Sequence, residues 1–267
     1  MTVTPDPALV AASEAAHGAW AAAVAAYDRD ALLEPIAEGA DGTPTSRIDH
    51  LVESAILQAV EPYGLDVVSE EIGHVDRGSS TAIVIDPVDG TGNATAGIPI
   101  AAFTGAIAIE GRFIEGLTHW LADGRTWWAH VDQDAAQTTS GRTSLDGALV
   151  SMIRPKGDAA GFLAIADRAA RIRVLGCSSI EAALVSDGVL DAFVDAGSRT
   201  HRLVDLAAAL IIVERAGGAV VDVHSEPIRF TTEVDTRWSG IVAATPELAA
   251  EIADAVNLAN ASTTIAG

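Results

Sequence analysis

The segment Thr81-Ala82-Ile83-Val84-Ile85-Asp86-Pro87-Val88-Asp89-Gly90-Thr91-Gly92-Asn93 constrains this chain more than any other. Its first five residues form an apolar, β-branched run typical of a buried strand, so other elements must cover it. The run stops in two carboxylates three residues apart. Pro87 fixes the backbone between Asp86 and Asp89, so both side chains can point into one small volume and share hard cations such as Mg²⁺. Gly90 and Gly92 permit close approach of the backbone, and the amides of Gly90 and Thr91 could cradle a phosphate. Read alone, Asp-Gly-Thr-Gly-Asn is also an ordinary turn, because these residues dominate turns. A second acidic cluster, Ser69-Glu70-Glu71, follows a short strand predicted at Asp66 to Ser69, and by itself reads equally as a solvated charge pair.

The rest of the pattern supplies the covering elements. Residues 7 to 33 read as one or two helices, and the polar stretch from Glu38 to Pro44 reads as a loop, a candidate flap carrying Asp41. Thr45 or Ser46 can cap a helix whose apolar face holds Ile48, Leu51, Val52, Ala55, Ile56 and Ala59, with Asp49 and Glu53 one turn apart off that face. Residues 101–109, 112–121 and 125–132 form a predicted antiparallel meander. From about residue 148 strand and helix alternate: strands at 149–153, 172–175, 190–194, 219–223 and 240–244, helices over 159–170, 178–187 and 203–216, and a last helix opened by Pro246. The expectation is a mixed α/β (α+β) chain with an N-terminal α+β subdomain at 1–147 and a C-terminal α/β subdomain at 148–267.

Composition excludes several roles. With 37 acidic against 16 basic residues the formal charge is −21, which disfavours neutralising a polyanion, so no nucleic-acid partner is expected. No run approaches the roughly 18 apolar residues that span a bilayer, and no basic segment precedes an apolar one, so neither a membrane span nor a signal peptide is expected. Cys177 is the single cysteine, which leaves no intrachain disulfide or thiolate cluster and fits a reducing cytoplasm; it reads as a small buried hydrophobe. Lys156 is the single lysine. An acid-rich surface with so little lysine suits a salt-rich, halophilic setting, although GC-rich coding also replaces Lys by Arg. The seven histidines show no metal-ligand spacing, and Trp127-Trp128 is expected to pack on the meander or at a subunit contact.

Asp86-Pro87-Val88-Asp89-Gly90-Thr91 resembles the D-P-[IVL]-D-G-T signature of the inositol monophosphatase family, with a Glu-Glu pair ahead of it at a strand end. Val204-Asp205-Leu206-Ala207-Ala208 followed by Glu214-Arg215-Ala216-Gly217-Gly218 resembles the second signature of that family. Asp41-Gly42-Thr43-Pro44-Thr45, Ile48-Asp49, Gly97-Ile98-Pro99 and Gly176-Cys177 are most similar to the archaeal branch, whose members often hydrolyse both inositol phosphate and fructose 1,6-bisphosphate. The resemblance covers roughly residues 35 to 245.

The resemblance implies a layered αβαβα sandwich, a homodimer and a phosphomonoesterase using two to three Mg²⁺ ions per subunit, with Mn²⁺ as a substitute. Carried over, Glu70, Asp86 and the Val88 carbonyl would bind one ion and Asp86, Asp89 and Asp205 a second, with Glu70 touching a weaker third. Glu70, Asp49 and Thr91 would be catalytic: Asp49 orients water or the third ion, and the Thr91 hydroxyl positions the attacking water. Asp205 read on its own is a helix N-terminal residue. Asp89, Gly90, Thr91, Ser178, Ser198 and Arg199 would face a small phosphorylated substrate. Three departures bear on that substrate. Gly92 replaces a larger residue, Ser178-Ser179 replaces small apolar ones, and Ser198 stands where inositol-specific animal enzymes carry a Glu. Arg199 or Arg202 could meet a second phosphate by a bidentate hydrogen bond, which would favour fructose bisphosphate, though a plain surface arginine is the stronger reading.

The expected activity is therefore hydrolysis of inositol 1-phosphate and/or fructose 1,6-bisphosphate. The nearest alternative is a 3'-phosphoadenosine 5'-phosphate or NADP phosphatase, which a base-stacking aromatic near the site would support. From another class, a catalytically silent metal or sugar-phosphate binder would not need the water-positioning set. A NAD-dependent or P-loop enzyme is excluded for want of G-x-G-x-x-G or G-x-x-x-x-G-K-[ST].

Overall fold

The computed structural model of the chain describes residues 3–40, 42–134 and 136–266. The N-terminal helical pattern resolves into α1 (Pro7–Ala26) and α2 (Arg29–Leu33), because the Asp28 carboxylate accepts from the Ala31 N–H at 2.9 Å and starts a new helix. The predicted loop from Glu38 to Pro44 joins the two strands of a hairpin that the sequence did not announce: β1 (Pro35–Glu38) pairs antiparallel with β2 (Pro44–Ser46), closed by the Gly39 N–H on the Thr43 carbonyl at 2.8 Å. Ser46 then caps α3 (Arg47–Val60).

Next come β3 (Asp66–Ser69), the unanticipated short β4 (Gly73–Val75), β5 (Thr81–Asp89) and a six-residue helix α4 (Thr91–Ala96), followed by the meander β6 (Ala102–Ile109), β7 (Arg112–Trp120) and β8 (Thr126–His130). These strands form one sheet in the order β4-β3-β5-β6-β7-β8, parallel only between β3 and β5. The carboxylate-bearing strand is thus central, and the ends of β3 and β5 lie side by side. Trp127 is buried on the meander, stacked on Trp120 at 6.3 Å, and donates to Asp187 Oδ2 at 2.7 Å; Trp128 donates to Glu115 Oε1 at 2.6 Å.

The remaining elements are β9 (Leu149–Met152), α5 (Ala160–Ala166), β10 (Arg171–Arg173), α6 (Ser178–Ser186), β11 (Ala192–Val194), α7 (Leu203–Arg215), β12 (Ala219–Asp222), β13 (Gly240–Ala243) and α8 (Pro246–Ala266). Their strands form a second sheet in the order β10-β9-β11-β13-β12. Helix α5 and strands β10 and β11 are shorter than their apolar patterns suggest. α5 frays into a turn at Asp167-Arg168, whose guanidinium is drawn to Asp146 and Glu251.

The layers follow from which faces are apolar. α1 and α3 cover one face of the six-stranded sheet, α6 and α7 lie between the two sheets, and α5 and α8 cover the outer face of the second. This is the expected αβαβα sandwich. Helix α7 has no solvated face along Leu203–Val213, where every residue is buried, so it can exist only between two packed layers. A Cβ on Gly116 of β7 would lie 2.6 Å from the Ala208 carbonyl oxygen, so the missing side chain is what admits the α7 backbone so close to the sheet. No helix among the described residues is long and apolar enough to cross a membrane.

Candidate active site

Four carboxylates converge from different elements: Glu70 just after β3, Asp86 and Asp89 near the end of β5, and Asp205 in the first turn of α7. Carboxylate oxygens of Glu70, Asp86 and Asp205 lie within 4.8 Å of one another, and the three aspartates are at most 8% exposed. Asp89 Oδ2 accepts from the Ser179 N–H at 2.5 Å and lies 3.4 Å from Cys177 Sγ. Asp205 also accepts from the Arg202 N–H at 2.6 Å, so it caps its helix and belongs to the cluster at once.

Gathering like charges in a buried space makes ionisation costly. Burial, then repulsion from Asp205, Glu71 and Asp49, pushes the Glu70 carboxyl up to about 8, although the Arg202 guanidinium draws it back. Burial first, and then Glu70, Asp89 and Asp205, pushes Asp86 well above the usual carboxylate range. Asp89 is raised by burial and by Asp205, against the bonds from Ser179 and Cys177. The Arg202 guanidinium pairs with Glu70 and reaches Asp205 Oδ2 at 3.6 Å, supplying one positive charge against four carboxylates. A compact set of hard oxygen donors with a surplus of negative charge fits divalent cations such as Mg²⁺, and Glu70, Asp86, Asp89 and Asp205 are the residues that would hold them.

Asp49 and Glu53, off the apolar face of α3, are nonetheless buried, because each finds partners beyond its helix. Asp49 Oδ2 accepts from Ser46 Oγ at 2.6 Å, and Asp49 Oδ1 lies 2.9 Å from Thr91 Oγ1. Burial raises the Asp49 carboxyl, while the Ser46 and Thr91 bonds and Arg202 oppose the rise. Thr91 Oγ1 is also 2.9 Å from the Val88 carbonyl oxygen, and the Val88 N–H donates to Asp86 Oδ1 at 3.0 Å. Glu53 Oε1 accepts from Ser69 Oγ at 2.5 Å and from the Ile72 N–H at 3.0 Å, which clamps the chain on both sides of Glu70. Gly90 takes φ +85°, and a Cβ there would lie 2.8 Å from the Ile100 carbonyl oxygen, so the turn between Asp89 and Thr91 requires glycine.

Beside the carboxylates opens a cavity of about 290 Å³. Asp89, Asp205 and Arg202 form one wall, and Arg154, Lys156 and Ser178 bring further polar groups. Arg199 does not enter it. The Asp195 carboxylate holds the Ser198 and Thr200 N–H groups at 2.6 and 2.8 Å, which turns Arg199, at φ +50°, toward a separate cavity with His224 and Trp238. Ser198 Oγ instead accepts from the Lys156 N–H at 3.1 Å. Asp41 lies outside the described residues.

Sequence reasoning missed Glu53, Glu181, Arg154 and Lys156. Glu181 is buried, accepts from Ser151 Oγ at 2.5 Å and from the Leu175 and Cys177 N–H groups at 3.2 and 3.1 Å, and is pushed up to about 7 chiefly by burial. Its one early signal was a lone acid inside an apolar helix. Cys177 is buried as expected; burial and then Asp89 hold its thiol well above the ordinary range.

Known proteins resemble this chain in sequence and in fold. The fructose-1,6-bisphosphatase/inositol-1-monophosphatase of Methanothermobacter thermautotrophicus is 34% identical, the match covering 80% of this chain and 84% of that one. The bifunctional NADP phosphatase/NAD kinase of Methanococcus maripaludis is 29% identical over 78% of this chain and 42% of its own length. The crystal structure of an inositol monophosphatase-fructose 1,6 bisphosphatase superposes with a TM-score of 0.83 at 24% identity, covering 92% of this chain and 98% of that one, and shows the same fold. The model of the inositol monophosphatase family matches residues 5–260, and the chain belongs to that family and is a phosphatase.

Proposed function

We propose that the chain is a Mg²⁺-dependent phosphomonoesterase acting on a small phosphorylated polyol or sugar, inositol 1-phosphate and/or fructose 1,6-bisphosphate. The observation that carries this reading is the buried cluster of Glu70, Asp86 and Asp205, which a phosphate could approach only with cations between. Bound there by these residues with Asp89 and the Val88 carbonyl, Mg²⁺ would supply charge neutralisation and Lewis acidity toward the phosphate.

The remaining work falls to groups of the chain. Thr91 Oγ1, 2.9 Å from Asp49 Oδ1, can donate to that carboxylate and offer its own lone pairs to the attacking water, aiming the water oxygen at phosphorus. Asp49, reached through Thr91, is placed to receive the proton that the water loses. The backbone of Gly90 and Thr91 would hold phosphate oxygens, while Ser178 and the cavity beside Asp89 would take the leaving group. The products are an alcohol and inorganic phosphate, with no covalent intermediate on the chain.

A second reading, removal of the 2'-phosphate of NADP, is favoured by the NADP phosphatase/NAD kinase relative. Against it, no Phe, Tyr or Trp among the described residues lines the cavity to stack on adenine. Phosphate release from inositol 1-phosphate, fructose 1,6-bisphosphate, NADP and 3'-phosphoadenosine 5'-phosphate, each with Mg²⁺, Mn²⁺ or EDTA and from low to molar KCl, tests the proposal. Mg²⁺-dependent release from a polyol or sugar phosphate supports it; release confined to the nucleotides favours the second reading, and no release from any ester rejects both. Native mass in the same buffers tests the homodimer.

A further inference from the structure

His201 stands just before α7 and lines the cavity beside the carboxylates, four residues from Asp205. The residue is 1% exposed. The Gly240 N–H donates to its Nδ1 at 3.1 Å, and the ring rests edge to face on Phe193 with centroids 5.2 Å apart. With Nδ1 accepting, the single proton of a neutral imidazole must sit on Nε2. Nε2 is buried, and no described residue accepts from it. A buried N–H donor left without an acceptor is costly, so its place on the wall of a substrate-sized cavity calls for an occupant.

We propose that His201 is a specificity-determining residue whose Nε2–H donates to a hydroxyl oxygen of the polyol or sugar leaving group. This rests on the phosphatase reading given above and adds to it which part of the substrate is recognised. Arg154, Lys156 and Arg202 bring positive charge to the same cavity and suit anionic oxygens, whereas a neutral, rigidly held N–H matches an uncharged acceptor. Rigid packing against Phe193 and Gly240 fixes the donor direction, and a buried donor discriminates by being left unpaired when the hydroxyl is missing.

The test compares Mg²⁺-loaded protein on inositol 1-phosphate and on propyl phosphate, which has no free hydroxyl on its leaving group. H201N keeps an acceptor where Nδ1 meets the Gly240 N–H and removes the Nε2 donor, and H201Q carries a donor near the Nε2 position. The ratio of kcat/KM for the two esters is expected to fall about tenfold in H201N and to stay within about threefold of wild type in H201Q. With ¹⁵N-labelled histidine, one imidazole N–H signal absent from H201N should shift when inositol 1-phosphate is added and stay put with inorganic phosphate. An unchanged ratio in H201N, or equal loss on both esters in both variants, overturns the inference while leaving the phosphatase reading intact. Wild-type release from propyl phosphate alone overturns the polyol reading and the inference with it.

Discussion

The electrostatics of the carboxylate cluster make a prediction about stability that needs no substrate. Glu70 moves from an ordinary 4.5 to about 8 on folding, chiefly through burial, and its side chain is only 16% exposed. A carboxyl whose pKa rises on folding binds its proton more tightly in the folded chain than in the unfolded one. Its contribution to stability is therefore complete below pH 4.5 and lost as the pH climbs through about 8. At about 1.4 kcal/mol per tenfold change in proton affinity, roughly 3 kcal/mol of this loss falls between pH 6 and 9. For a chain of this size that corresponds to about 6 to 12 °C in Tm. In EDTA the wild-type protein should lose that much between pH 6 and 9, and Glu70→Gln, which has no proton to lose, should lose correspondingly less. Saturating Mg²⁺ favours the ionised carboxylates, so its stabilisation should grow with pH across the same window. Thermal melts of both proteins at three pH values, with EDTA or Mg²⁺, decide the matter. Parallel pH profiles for wild type and E70Q in EDTA would refute the reasoning, and so would a Mg²⁺ effect indifferent to pH.

Three further outcomes follow from the geometry. Asp89→Asn keeps an oxygen for the Ser179 N–H, so its Tm should stay within a few degrees while phosphate release falls at least about 100-fold; normal turnover would rule out a role for the charge. Thr91→Val removes the hydroxyl held between Asp49 and the Val88 carbonyl and should lower kcat about 10- to 100-fold with little change in KM, a split that steady-state kinetics reads directly. Gly90→Ala forces a Cβ to 2.8 Å from the Ile100 carbonyl oxygen at φ +85° and should cost about 1–3 kcal/mol in urea unfolding, together with most of the activity.

How much of this was legible in the sequence depended on the range of the interaction. The central strand could be read from Ala82–Ile85 alone because burial on both faces demands an unbroken apolar run. The gathering of Glu70, Asp86, Asp89 and Asp205 was visible through spaced motifs, whereas periodicity placed Asp205 only at a helix start. α4 escaped notice because Thr-Gly-Asn-Ala-Thr-Ala between two glycines looks like a turn. Glu53 read only as a carboxylate off the apolar face of its helix, because its partner Ser69 is 16 residues away. Arg199 and Arg202, three residues apart, go to different cavities because Asp195 seizes the backbone between them, and no local pattern announces that.

Asp205 rides on α7, whereas Asp86 belongs to the sheet against which α7 is pressed, so the spacing of these two carboxylates is inherited from how closely helix and sheet can approach. At Gly116 that approach is backbone on backbone, with no side chain to compress. The geometry of the cluster is thus a machined tolerance: a methyl group added on β7, inside the core and outside the carboxylate cluster, would shim the helix outward and detune the cluster without touching any of its carboxylates.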